Sequence, residues 1–171
     1  GGWQEDTIAE DLDLSYRAQL RGGKCRYVEH IDAPAELPVE MSAVKSQQFR
    51  WTKGGAETAR KNLLKILRSG MRPVNMMHAF FHLTNSTNFL FILIASLVSI
   101  PLLFIKSNNP DYAMLFHATS VFLAGFIAIA WFYWTATKHS DEKPCRHFIQ
   151  YFPLFILFYM GLAFHNSLAV V

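Results

Sequence analysis

Residues Phe89 to Ile105 read FLFILIASLVSIPLLFI, a run of 17 residues with no Lys, Arg, Asp or Glu. The run sits inside a longer charge-free stretch, Pro73 to Ile105, and two more follow, Tyr112 to Thr137 and Phe148 to Val171. Each is longer than the ~20 residues a helix needs to cross ~30 Å of hydrocarbon. Three transmembrane helices are therefore expected, near 86–105, 113–135 and 149–171. Working outward, composition supports the division. Of the 16 Lys and Arg residues, 12 precede residue 73, whereas 14 of the 15 Phe residues follow residue 79. A polar, basic first part joined to an apolar second part excludes a single soluble globule, a disordered tail and a disulfide-stapled secreted domain.

The basic residues also set an expected orientation. Twelve precede the first span, the connection 106–111 carries one, and 136–147 carries Lys138, Lys143 and Arg146. By the positive-inside rule, residues 1–85 and 136–147 are expected in the cytoplasm and 106–111 outside. Trp131, Tyr133 and Trp134 fall where an aromatic belt would lie at the cytoplasmic end of the second span. A net charge of +3 can signal nucleic-acid binding. Beside apolar spans it reads instead as a headgroup-facing surface, and no nucleic-acid partner is expected. Cys25 and Cys145 lack C-x-x-C partners and are read as reduced. His78 and His82 stand four apart, but without a third ligand nearby they read as packing residues rather than a metal site. His117 and His165 read as residues near span ends that face water or a neighbouring helix.

In the first part, Thr7-x-x-Glu10 has the form of a capping box, and Ile8, Leu12, Tyr16 and Leu20 recur along one face. A helix from about Ile8 to Arg21 is expected, ended by Gly22-Gly23. A short strand follows over Lys24 to His30, then an extended loop through Pro34 and Pro38. A second helix is expected over Val39 to Lys53, broken by Gly54-Gly55. A third, about Ala56 to Ser69, places Ala56, Ala59, Leu63, Ile66 and Leu67 on one face, bordered by cations. That is the pattern of an amphipathic helix lying in the membrane interface; a helix packed inside protein is the alternative.

Two clusters carry possible chemistry. Glu10, Asp11 and Asp13 crowd the first turn of the first helix, where the helix dipole keeps carboxylates ionised and one could serve as a base. Such residues also serve as ordinary capping. Gln47-Gln48-Phe49-Arg50-Trp51 combines a guanidinium able to hold phosphate with a flat indole for stacking, although such a stretch can equally anchor an interface.

Taken together, Gly1-Gly2-Trp3, Ala9-Glu10-Asp11-Leu12-Asp13-Leu14-Ser15-Tyr16-Arg17, Pro34-Ala35-Glu36-Leu37-Pro38 and Gln47-x-x-Arg50-Trp51 resemble the membrane-bound family 2 glycosyltransferases, most nearly the cellulose-synthase-like and glucomannan-synthase-like enzymes. The order and spacing of these motifs, and their position before the spans, are those of the family. The resemblance implies that Asp11 is the general base, supported by Glu10. It implies that Arg50 stabilises a departing diphosphate, that Trp51 stacks on the acceptor sugar and that Gln47 helps position those groups. The implied reaction is inverting, processive β-transfer of a hexose from a UDP- or GDP-sugar to a growing polysaccharide at the bilayer. Alternatives are a non-processive enzyme with a lipid acceptor and a non-catalytic membrane scaffold or channel subunit.

The resemblance further implies Mg2+ or Mn2+, held by an upstream D-x-D, with no metal ligands in this chain. Ala9 stands where the family often has Thr. The fold expected is thus mainly α in this chain. Residues 1–53 would be the C-terminal part of a cytoplasmic α/β catalytic domain of GT-A type, residues 54–85 an interfacial helix and approach to the membrane, and residues 86–171 the transmembrane region. The chain is expected to be the C-terminal piece of a larger multi-pass protein, inactive by itself, in the plasma (inner) membrane if its source is bacterial.

Overall fold

The computed structural model describes residues 2–28, 30–31, 33–108, 113–118 and 123–171, and every regular element among them is helical. In chain order they are α1 (Glu10–Leu20), α2 (Met41–Leu67), α3 (Pro73–Thr84), a 3-10 turn (Asn85–Thr87), α4 (Asn88–Asn108), α5 (Ala113–Ala118), α6 (Leu123–Ser140), α7 (Pro144–Gly161) and α8 (Ala163–Val170). They form two units, Gly1–Phe91 with Leu162–Val171, and Ile92–Gly161.

The first unit is organised around α2, which packs against α1, α3 and α8. α1 begins at Glu10 rather than Ile8, and no side chain caps it. The capping box does not form: Ala9 takes the N-cap position, and Thr7, two residues earlier, is buried. The other end is as expected. Gly22 adopts a positive φ of 85°. Its N–H reaches the Gln19 carbonyl at 2.9 Å, and the Gly23 N–H reaches that of Ala18 at 2.9 Å. This is the paired C-terminal closure that a left-handed glycine permits. The strand expected over 24–30 is absent among the described residues; Lys24–Val28 are exposed and belong to no regular element. An isolated strand gains no hydrogen bonds until a second one pairs with it, and no other strand is found among the described residues.

α2 runs unbroken for 27 residues through Gly54-Gly55, joining what had been expected as two helices. Each glycine costs about 1 kcal/mol of helix propensity. Both are buried where other segments approach closely, Gly54 against Ala9 and Gly55 against Ser86, so tertiary packing outweighs the local preference. The stripe expected to face lipid is mostly turned to protein. Ile66 is fully buried in a cluster with Tyr16, Ala79 and Leu83, and Ala59 and Leu63 pack against that cluster. Burying Ile66 and Leu83 contributes about 1.5–3 kcal/mol each. Of the stripe's five residues only Leu67 is exposed. A hydrogen bond of 2.7 Å between the Tyr16 hydroxyl and His82 Nδ1 also ties α1 to α3. Burial pushes the Tyr16 phenol above its ordinary value, which keeps the proton on oxygen.

In the second unit α6 and α7 interlock through aromatic rings. Tyr133 lies 4.7 Å from Phe155 and 5.9 Å from Phe152, while Trp134 meets Phe148 edge-on at 5.5 Å. Offset and tilted ring contacts of this kind add about 0.5–1.5 kcal/mol each beyond area burial. Asp141 in the α6–α7 turn pairs with His147 Nδ1 at 2.5 Å.

Among the described residues one continuous helical stretch, Pro73–Asn108, is long and apolar enough to cross a membrane, and it contains the first expected span. The second expected span, 113–135, includes residues 119–122, which lie outside the described residues. The third is not one helix: α7 ends at Gly161, and only the bent pair α7–α8 passes the same test. Ala163, Asn166, Ser167 and Ala169 of α8 are buried in the unit built on α2. His165 Nε2 meets the Lys45 carbonyl at 3.1 Å and its ring lies 5.4 Å from that of Phe49, so this histidine does face a neighbouring helix.

Candidate active site

One face of α2 carries Arg50 and also meets the segment that leads into α1. Arg50, Gly54, Glu57 and Lys61 are spaced four, three and four apart, which stacks them on one side of a helix. Three of the four touch the segment leading into α1. A Cβ on Gly54 would lie 2.6 Å from Ala9 Cβ and 2.8 Å from its backbone nitrogen. Glu57 Oε2 accepts the Ile8 N–H at 2.9 Å. Lys61 Nζ donates to Gln4 Oε1 at 2.7 Å, Asp6 Oδ1 at 2.6 Å and Asp13 Oδ2 at 3.0 Å.

Ala9 is level with Gly54, Asp13 with Lys61 and Asn62, and Tyr16 shares a cluster with Ile66. α1 and α2 thus run parallel, and α2 starts well before α1 does. Arg50 stands one turn before Gly54, about 6 Å along the axis, on the side where α1 begins. Gln47 lies one turn before Arg50, and Trp51 follows Arg50 about 100° further round the helix. The Q-x-x-R-W segment therefore lies on the part of α2 that extends past the N-terminal end of α1.

Asp11 is exposed, and its Oδ1 accepts the Leu12 N–H at 2.7 Å. This holds the carboxylate against the positive end of the helix. Glu10 is exposed beside it. Arg50 is exposed and forms no ion pair with any described residue, which leaves its guanidinium available to an anion. Trp51 is 61% exposed, a free aromatic face. Gln47 is half-buried and borders an open groove of about 420 Å³ with Glu36 to Glu40 and Ala43.

Asp13 behaves differently from its neighbours. It is fully buried and receives Asn62 Nδ2 at 2.7 Å and Arg17 Nε at 2.7 Å as well as Lys61. Burial works to raise its carboxyl, but the hydrogen bonds from Asn62, Lys61 and Arg17 outweigh this and hold it below the usual carboxylate range. The sequence singled out Asp13 only as one of three crowded acids and did not find Lys61, Asn62 or Gly54. The signal was there in the spacing: Gly54 and Lys61 extend the face of Arg50 by one and three turns.

These residues do not fit a divalent cation. Asp13 is consumed by its three donors, Asp11 accepts from its own helix, and no three His, Cys, Asp or Glu converge among the described residues.

The exposed carboxylate of Asp11 at a helix start, the exposed Arg50 guanidinium and the exposed Trp51 indole are the group types that handling a hydroxyl and an anionic leaving group would need. The chain matches glycosyl transferase family group 2 over residues 1–164 and belongs to that family. It is 31% identical over 134 residues to "Probable glucomannan 4-beta-mannosyltransferase 3" of Arabidopsis thaliana, covering 75% of this chain and 24% of that protein. It is 46% identical over 69 residues to "Glucomannan 4-beta-mannosyltransferase 7" of the same plant, covering 40% of this chain and 12% of that protein. "Glucomannan 4-beta-mannosyltransferase 1" of Oryza sativa subsp. japonica is 36% identical over 85 residues, with 47% and 16% covered. The chain thus spans from about an eighth to a quarter of the length of these relatives. No solved structure matches it.

Proposed function

We propose that this segment supplies the acceptor-facing part of an inverting, processive β-glycosyltransferase that extends a polysaccharide at a membrane. The relatives' names favour a mannosyl group in a β-1,4 linkage. The observation that supports the reading is the Gly54–Ala9 contact, which sets the helix carrying Arg50 and Trp51 against the start of the helix carrying Asp11.

In the proposed reaction an acceptor hydroxyl attacks the anomeric carbon of a UDP- or GDP-sugar. Asp11 takes the hydroxyl proton as the new C–O bond forms. The bond from the anomeric carbon to the phosphate oxygen breaks on the opposite face, and the nucleoside diphosphate departs with the electron pair. Arg50 pairs with its charge by charge-assisted hydrogen bonds, and Trp51 presents an apolar ring to the sugar. Glu10 adds negative potential near the base. The divalent cation the family uses would be held outside this segment. α4 would carry the chain across the bilayer. Exposed Leu64, Leu67, Phe80 and Phe81 would set the first unit against its cytoplasmic surface.

The test uses the full-length enzyme containing this segment, in membranes, supplied with a labelled nucleotide-sugar. Asp11→Asn abolishes transfer while membrane insertion stays normal; near-parental activity would overturn the base assignment. Trp51→Ala, at an exposed position, raises the acceptor KM more than the donor KM, and equal changes in both would remove the stacking role. A product extractable into organic solvent, rather than an insoluble polymer, would identify a lipid acceptor instead.

A further inference from the structure

We infer that Asp13 and Lys61 are positioning residues for this reaction, a clamp that sets where the base stands relative to the diphosphate-binding arginine. The inference rests on the assignment of Asp11 and Arg50 above and goes beyond it, because neither Asp13 nor Lys61 touches substrate in that mechanism.

The buried carboxylate of Asp13 is two residues from Asp11 in the same first turn. Its Oδ1 is taken by Asn62 and its Oδ2 is shared by Arg17 and Lys61. One partner, Arg17, belongs to α1 itself; the other two belong to α2. The Lys61 ammonium spends three donations on Gln4, Asp6 and Asp13, which is every N–H it has. A single α2 side chain thereby gathers the incoming segment and the first turn of α1.

Lys61 and Arg50 are 11 residues apart on one unbroken helix, about 16 Å along its axis and on the same face. α2 acts as a rigid spacer: one end holds Asp13 and the other presents Arg50. The Gly54–Ala9 approach between them leaves α1 little room to pivot. Asp11 is exposed, and among the described residues its side chain has no hydrogen bond other than the one from Leu12 N–H. Its position therefore depends on how that helix is anchored. A misplacement of about 1 Å in a reacting group can cost on the order of 100-fold in rate.

Lys61→Met is the informative variant, because Asp13 keeps Arg17 and Asn62 and stays charge-paired. In the full-length enzyme, kcat for transfer is expected to fall about 10- to 100-fold while donor and acceptor KM stay within about twofold. Lys61→Arg, which keeps the charge and donors, should recover most of the loss, and trypsin resistance of the membrane-inserted protein should match the parent in both. An unchanged kcat in Lys61→Met, with Asp11→Asn inactive, overturns the clamp but leaves the base assignment standing. Loss of trypsin resistance in step with kcat makes the contact merely structural and also overturns it. If Asp11→Asn itself stays active, the reading of the site fails first.

Discussion

Adding one methyl group at Gly54 tests the geometry that joins the two motifs. In an exposed helix interior, Gly→Ala stabilises by about 1 kcal/mol through backbone entropy. At Gly54 the new Cβ would sit 2.6 Å from Ala9 Cβ, 2.8 Å from its nitrogen and 3.2 Å from its Cα. Carbon atoms prefer about 3.5–4.0 Å, so the overlap approaches 1 Å. Two of the three opposing atoms are backbone and cannot rotate aside. Overpacking of this kind costs about 1–3 kcal/mol and forces α1 and α2 apart where the start of α1 meets α2. The expected net effect is destabilisation by about 1–2 kcal/mol, lowering the apparent Tm by a few degrees in fixed detergent conditions, with a fall in kcat of tenfold or more.

The neighbouring Gly55→Ala is the control. Its Cβ would meet Ser86 Oγ at 2.6 Å, with Ser86 Cβ at 3.9 Å, so the hydroxyl can swing away and the propensity gain survives. Ala9→Gly in the Gly54→Ala background should restore part of the loss, since it removes one of the clashing atoms. A Gly54→Ala protein as stable and active as Gly55→Ala would refute the close approach, and with it the argument that α2 positions both motifs.

Asp13 and Lys61 give the first unit a pH signature. The depressed Asp13 carboxyl contributes stability that is present above the unfolded value of about 3.9 and is lost as pH falls through the depressed folded value. For Lys61, desolvation works to lower the ammonium, but its hydrogen bonds to Asp6 and Asp13 prevail and raise it. Its contribution is complete below about 10.4 and lost as pH rises through the raised value. Apparent Tm against pH should therefore be flat between these limits, and Asp13→Asn should flatten the acid limb; an acid limb identical to the parent's would remove Asp13 as its source. The proposed topology predicts that the exposed thiols of Cys25 and Cys145 resist an impermeant maleimide in intact cells and react after lysis. Labelling of either in intact cells would reverse the placement of its segment.

The sequence by itself determined the class of protein. Apolar runs such as Phe89–Ile105 announce membrane-length helices, because hydrocarbon thickness is a fixed length that no tertiary contact alters. The motif residues Glu10, Asp11, Gln47, Arg50 and Trp51 are legible because a family resemblance rests on residue types and their order along the chain. Gly22-Gly23 ended α1 as expected, since a left-handed turn is a local demand that glycine meets locally.

Only the tertiary structure decided the rest. Gly54-Gly55 signals a break in any local reading, yet α2 runs through it because Ala9 and Ser86 press where a side chain would stand. The stripe ending in Ile66 looks ready for lipid, but α1 and α3 bring Tyr16, Ala79 and Leu83 against it. Asp13 is indistinguishable from Asp11 as a first-turn acid. Its burial and its three donors follow from Lys61 and Asn62, 48 and 49 residues further on. The difference is one of range: hydropathy, turns and motif chemistry act within a few residues, whereas burial depends on which distant segment arrives to cover a face.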